Sequence, residues 1–388
     1  MSTHVFQGES RRAPDERGLT LIELVLAMGL LSLLMLAVVR LFDSALTTWR
    51  KGEARRAVLE QASIVADMLA RDLRGIESGP RGDLVCEWVS FDTNGDGIRE
   101  TKWPRLRLVR EVPASEMARL QQDEAAAKRL PGAPAAAVAG ERGPDDVIRP
   151  DLVGPGLVEV LWMVAPASLK DKDARSEGVV WRGARRVGDT ATASFFEPRF
   201  FGSSNLPPAG ATDEVTGGLL WMNVLLASQT SVVHDGWKIT KDMSGAATSW
   251  DAWGRDRPDT QTHGWNEKPA GMATPRQRPI LPRRVRIEFE FERPADRLWR
   301  TRTIEAVDNQ DNVLRVDDGR RLSFEDDAHV LVDAEWMKVV SVDGARVVVE
   351  RGARGTTPVE HAKDSMVHWG LRLTTEVIVA TYREDWNL

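Results

Sequence analysis

The chain has almost no cysteine: Cys86 stands alone among 388 residues. An intrachain disulfide is therefore excluded, as are zinc sites built on cysteine pairs. Histidine is also scarce, and the six present form neither an H-E-x-x-H pair nor a recognisable triad motif. No G-x-x-x-x-G-K-[ST] phosphate loop occurs. Positive charge is not in excess. The net charge is −6 with acids and bases interspersed, unlike the basic footprint of a nucleic-acid binder. With no catalytic constellation left, the chain reads as a non-enzyme with no organic cofactor. Its length and 42% hydrophobic content suffice for one large domain or two ordinary ones.

What the sequence does contain is a long apolar run, "ERGLTLIELVLAMGLLSLLMLAVVRLF", Glu16 to Phe42. Residues Leu24 to Val39 carry no charge, and the stretch from Leu19 to Phe42 exceeds the roughly 20 residues a membrane helix needs. Glu23 is the sole acid in it. An ionisable group at membrane depth costs on the order of 3 kcal/mol, and less near the helix end. Glu23 is thus either an interfacial residue of a plain anchor or a functional group. A secretory signal would have a short apolar core followed by a small-residue cleavage site. Here the only plausible processing point precedes the run, at Gly18. Lys/Arg counting does not fix the orientation. Arg11, Arg12 and Arg17 precede the run, while Arg40, Arg50, Lys51, Arg55 and Arg56 follow it.

The segment "RGLTLIELVLAMGLL" resembles the cleavage and methylation motif of type IV prepilins and type II secretion pseudopilins. The resemblance implies that a prepilin peptidase cuts after Gly18 on the cytoplasmic face. It also implies that Leu19 becomes a methylated amino terminus and Glu23 the fifth mature residue. Leu19 stands where the family usually has Phe. In a staggered helical assembly, the Glu23 carboxylate could then pair with the new amine of a neighbouring subunit. Charge pairing in low dielectric makes an unpaired partner costly, so the pair would set the register between subunits. Implied partners are the peptidase, other pilin or pseudopilin subunits and an inner-membrane assembly platform. The implied location is the bacterial inner membrane, crossed once, with the C-terminal part periplasmic or extracellular in a filament.

The helical pattern continues past the apolar run. Val58, Ala62, Val65, Leu69, Leu73 and Ile76 recur at spacings of three and four, one face of an amphipathic helix. Glu60, Asp67 and Arg71 fall elsewhere, and Gly75 with "SGPRG" ends the pattern. A helix from Leu19 to Gly75 would be about 80 Å long at 1.5 Å per residue. Strand signals follow: "DLVCEWVSFD" with "KWPRLRLVREV", then "GLVEVLWMVAP" with "GVVWRGARRV", then "GLLWMNVLLAS". "RRVRIEFEFER" alternates most cleanly, predicting Val285, Ile287, Phe289 and Phe291 inward and the charges outward. Trp162 with Arg182, and Leu281-Pro282 with Val285 and Ile287, resemble strand motifs of the J-type minor pseudopilin of type II secretion.

The expected fold is α+β: a long N-terminal helix packed on an antiparallel, pilin-like sheet, with large loop and β insertions. Expected segments are a leader 1–18, a transmembrane half 19–42, an amphipathic half 43–76 and a β domain 77–300. Within the β domain lie an insertion 113–156 and tryptophan-rich loops 228–282. Trp237, Trp250, Trp253 and Trp265 in those loops can either bind a partner or pack the loops onto the body. A segment 301–370 resembles a small β module of phage tail proteins through Glu335, Arg351, Gly352, Gly355, Thr356 and His361. There His361 reads as a turn-fixing side chain. Residues 371–388 would return to the main sheet.

One candidate metal loop occurs. In "DTNGDGIRE", Asp92, Asn94 and Asp96 followed by Gly97 match the first half of a calcium loop, and Glu100 could supply a late ligand. Trp103 occupies the position where a full EF-hand needs Glu. The alternative is a polar hairpin turn held by Asx hydrogen bonds. Three functional readings stand at this point. They are a minor pseudopilin of type II secretion, a minor type IV pilin in adhesion, motility or DNA uptake, and a standalone membrane-anchored binding protein.

Overall fold

The computed structural model describes residues 20–92, 101–127, 154–167, 177–189, 193–197, 200–201, 205–208, 210–227, 237, 246–255, 278–292, 300–319, 322 and 327–381. The fold is α+β. Helix α1 spans Leu21–Arg74 and α2 spans Ala114–Ala127. The chain divides into two compact units, Met1–Glu53 and Ala54–Leu388.

In the first unit α1 is apolar and bare. Leu21 is 81% exposed, and Leu26, Leu34, Leu41 and Phe42 are likewise exposed. Among the described residues this is the one helix long and apolar enough to cross a membrane. Two of its hydroxyls bond back to the helix: Ser32 Oγ donates to the Met28 carbonyl at 2.8 Å and Thr48 Oγ1 to that of Ser44 at 2.9 Å. Back-bonding of this kind removes the cost of a free polar group in hydrocarbon.

The second unit holds two antiparallel sheets. The larger contains β1 (Leu84–Phe91), β2 (Thr101–Val112), β3 (Gly156–Pro166), β4 (Gly178–Arg186), β5 (Asp213–Ala227), β7 (Trp250–Asp251), β8 (Arg284–Phe291) and β15 (Leu371–Ile378). Their order is β15-β8-β5-β4-β3-β2-β1-β7, and the short β6 (Ala246–Ala247) pairs with β5. Strands β1 to β5 lie side by side in chain order, each antiparallel to the next. Val58, Ala62, Val65, Leu69, Leu73 and Ile76 are all buried in one core with Leu106, Leu108, Val160, Trp162, Ile287 and Phe289. The stripe from Val58 to Leu73 is therefore the face of α1 that meets the sheet, whereas Ile76 lies past the helix end and bridges Arg110 of β2.

Strands β2 and β3 run as near-continuous buried runs because the sheet is covered on both faces. Arg105 and Arg107 alternate with the helix-facing Leu106 and Leu108, yet both are buried. Glu87 on β1 bridges the two arginines. Arg105 also lies 3.6 Å from the centre of the Phe201 ring, and Phe195, Phe200 and Phe201 stack edge-to-face. Nearby Glu159 accepts from Ser194 and the Phe195 amide, so buried charge ties this loop to the sheet.

Between β8 and β15 the chain builds the smaller sheet. It contains β9 (Thr301–Arg302), β10 (Val313–Arg315), β11 (His329–Val332), β12 (Glu335–Asp343), β13 (Arg346–Ala353) and β14 (Met366–His368). The order is β10-β13-β12-β11-β14-β9. It has its own core of Leu314, Val316, Val330, Val332, Met337, Val347, Val349 and Val367. Gly344, at φ +58°, makes the tight turn between β12 and β13.

The module explains a departure from the expected pattern. Val285, Ile287, Phe289 and Phe291 are buried as expected, but Glu288, Glu290 and Glu292 are buried too. Strand β8 is central, between β5 and β15, and cations from the module, from Arg300 just before it and from Arg372 on β15 cover its acidic face. Arg354 pairs with Glu290 at 2.6 Å and lies 4.0 Å from the ring centres of both Trp221 and Trp336. Burial pushes the Glu290 carboxyl up and the Arg354 guanidinium down, each opposed by the attraction of the other. Arg354 also has φ +54°, a backbone conformation that non-glycine residues hold at a cost. Glu292 accepts from Arg300 at 2.6 Å and from His368 at 3.2 Å. Burial opposes its charge, but those bonds hold its carboxyl at about 2.

Candidate functional site

The start of α1 is a closed hydrogen-bond loop. The Thr20 carbonyl accepts from the Leu24 amide at 3.1 Å, which makes Thr20 the N-cap. The Glu23 amide donates to Thr20 Oγ1 at 3.3 Å, while Glu23 Oε2 accepts from the Thr20 amide at 2.9 Å and its hydroxyl at 3.0 Å. This is a capping box: two helix-end donors are satisfied reciprocally. The T-x-x-E spacing of Thr20 and Glu23 is the sequence signature of this cap. Glu23 therefore has a local role in the single chain, at a helix N-terminus whose dipole also favours an acid. It remains fully accessible, so a second group can reach it. Gly18 and Leu19 lie outside the described residues.

Within the second unit, the last turns of α1 are fixed by Asp72, which periodicity did not single out. Asp72 is 1% exposed. Its Oδ2 accepts from Trp162 Nε1 at 2.7 Å and from Arg182 Nε at 2.9 Å. Its Oδ1 accepts from Arg182 Nη2 at 3.0 Å and lies 3.0 Å from Arg110 Nε. Trp162 and Arg182 are direct cross-strand partners on β3 and β4. Both were singled out above for their likeness to strand motifs, and one helix carboxylate gathers them. A sequence signal existed: Asp72 lies three residues after Leu69 and seven after Val65, so it shares their buried helix face.

The module has a comparable hub. Glu335 is fully buried and accepts two hydrogen bonds from Arg351 at 2.7 Å, plus the Gly352 and Val359 amides at 3.0 Å each. His361 Nε2 lies 3.0 Å from Glu335 and its Nδ1 2.7 Å from Asp333. Arg351 also donates to the Asp308, Asp311 and Val359 carbonyls. Gly352 has φ +67°, and a Cβ there would meet the Thr356 carbonyl at 3.0 Å. Burial raises the Glu335 carboxyl, but the bonds from Arg351, Val359, His361 and Gly352 carry it below the usual carboxylate range. Glu335, Arg351, Gly352 and His361 thus converge on one turn-fixing knot.

Three of the loop tryptophans fall within the described residues. Trp250 is buried and donates to the Ile280 carbonyl at 2.9 Å; Trp253 donates to the Gly82 carbonyl at 2.9 Å. The Trp237 ring lies 5.2 Å from the Arg284 guanidinium. Trp265 lies outside the described residues. Of the candidate calcium ligands, Asp92 closes β1, whereas Asn94, Asp96 and Glu100 lie outside the described residues. Among the described residues no cluster of three or more metal-ligating side chains occurs.

Residues 14–39 match the family profile described as the prokaryotic N-terminal methylation motif. No curated protein and no solved structure shows significant similarity to the chain. The motif, set directly on an exposed apolar helix, supports a pilin-type precursor and implies processing by a prepilin peptidase. The same two features fit a membrane-anchored protein.

Proposed function

We propose that the chain is a structural minor pseudopilin, cut after Gly18 and built through α1 into a type II secretion pseudopilus, with no catalysis of its own. The observation that carries this reading is the methylation motif at residues 14–39, running directly into the bare apolar helix. Trp162 and Arg182, which resemble J-type strand motifs, meet at Asp72 and support the subtype. A six-stranded module added to the pilin-like sheet suits the tip, where neighbours crowd one side only. In this reading the leader is cytoplasmic, the helix lies in the inner membrane, and the second unit is periplasmic.

The assembly role of Glu23 can be separated from its capping role. Glutamine serves in a capping box but carries no charge. Glu23→Gln is therefore expected to be made, inserted and cleaved normally, yet to fall at least tenfold in recovery with sheared filaments. Glu23→Ala should lose both functions. The check is immunoblotting of membrane and filament fractions for the two variants. Normal incorporation of Glu23→Gln would remove the charge-pairing role and leave capping alone.

A further inference from the structure

Strand β15 ends the larger sheet, and its outer edge meets no other strand among the described residues. It pairs with β8 over all eight residues without a register shift. It contains no proline and no bulge, the usual devices that blunt an edge. The Val379 amide donates to the Arg283 carbonyl, its partner in the continued register. Backbone groups alternate along a strand, so the amides of Arg372, Thr374, Glu376 and Ile378 point away from β8. The same four residues have exposed side chains, and Ile378 is 75% exposed.

We infer that this edge is a self-complementary docking strand for a second copy of the chain, paired antiparallel about a two-fold axis at Thr374. The argument is charge complementarity. In that register Arg372 faces Glu376 of the second copy and Glu376 faces its Arg372. On the other face Leu371 meets Val377 and Leu373 meets Thr375. An edge defended against self-pairing carries charges of one sign, which repel when juxtaposed. Here the signs alternate about Thr374, and a two-fold operator turns alternation into two cross-strand ion pairs. Within one copy Arg372 already meets Glu288 and Asp327, and Glu376 meets Arg284, so pairing would extend an existing alternating row.

The two-fold makes one position diagnostic. Thr374 would face its own counterpart as a hydrogen-bonded pair, with Cα atoms about 5.5 Å apart. That is within the span of a disulfide. Ile378 would lie opposite Gly370, roughly eight residues along the strand from its counterpart, which is about 27 Å. The parent chain supplies a silent background. Cys86 is fully buried and its thiol is pushed up by burial, with further repulsion from Glu87.

The test is mild oxidation of the full-length chain in detergent, read on a non-reducing gel. Thr374→Cys should give a covalent dimer as the main species, at least tenfold above Ile378→Cys and the parent. Adding Glu376→Arg to Thr374→Cys places like charges across the axis and should cut that yield at least fivefold. No dimer from Thr374→Cys would overturn the inference. So would equal yields at the two positions, which indicate random collision or association through α1. A yield indifferent to Glu376→Arg would remove the charge argument and with it the proposed register.

Discussion

Asp72→Ala is expected to lower the stability of the second unit by about 3–5 kcal/mol, the loss typical when one partner of a buried ion pair is removed. The size follows from what would be left behind. Arg110, Arg182 and the Trp162 indole converge on this carboxylate with its side chain almost fully buried. Truncation leaves two guanidinium groups and an indole N–H facing a void. The attraction they lose is far larger there than at a surface, where an ion pair contributes only about 0–1 kcal/mol. Asp72→Asn keeps the shape and one acceptor and should cost distinctly less. Urea denaturation of the detergent-solubilised chain, followed by tryptophan emission, checks both variants. A loss below about 1 kcal/mol for Asp72→Ala would show that the carboxylate does not hold α1 on the sheet.

The second large effect concerns the module. Glu335→Ala should cost a similar amount, about 3–5 kcal/mol, because the amides of Gly352 and Val359 lose their side-chain acceptor and buried Arg351 and His361 lose their carboxylate partner. The loss should be local. Amides of β12 and β13 should exchange faster, while those of β2 and β3, in the separate larger sheet, should change little. The carboxyl also predicts the pH dependence. Its folded pKa is depressed, so its contribution is complete above the unfolded value, near 4.3. It is lost as pH falls through the folded value. Glu292, held at about 2 by His368 and Arg300 once burial is overcome, acts with the same sign. Module stability should therefore decline as pH falls below about 4.3, and Glu335→Gln should flatten that decline. A decline of unchanged slope in Glu335→Gln would place the acid sensitivity elsewhere.

Much of the α+β fold was legible because periodicity reports burial. The spacing of Val58, Ala62, Val65, Leu69 and Leu73 marks the helix face that the structure buries, and the pattern overran the helix only at Ile76, which bridges Arg110 instead. The alternation in β8 likewise marks its core side. It failed on the other side. Glu288, Glu290 and Glu292 read as solvent-facing, yet they are buried: Arg354 and Arg372, which meet Glu290 and Glu288, come from far along the chain, and Arg300 meets Glu292 from eight residues on, beyond the strand. No local pattern announces a distant guanidinium. Asp72 was overlooked for a related reason. A single acid on an apolar stripe looks like noise until the strand pair Trp162 and Arg182 is placed opposite it. Glu23 shows the reverse case. The motif likeness explained it by assembly, and the shorter-range capping pattern in the same four residues passed unread.

The most direct test of the account is intact-mass and N-terminal analysis of the protein extracted from its native membrane. The account predicts a chain that begins at Leu19, with its amine carrying one methyl group and residues 1–18 absent. A chain retaining its leader, or one cut beyond Phe42, would contradict it.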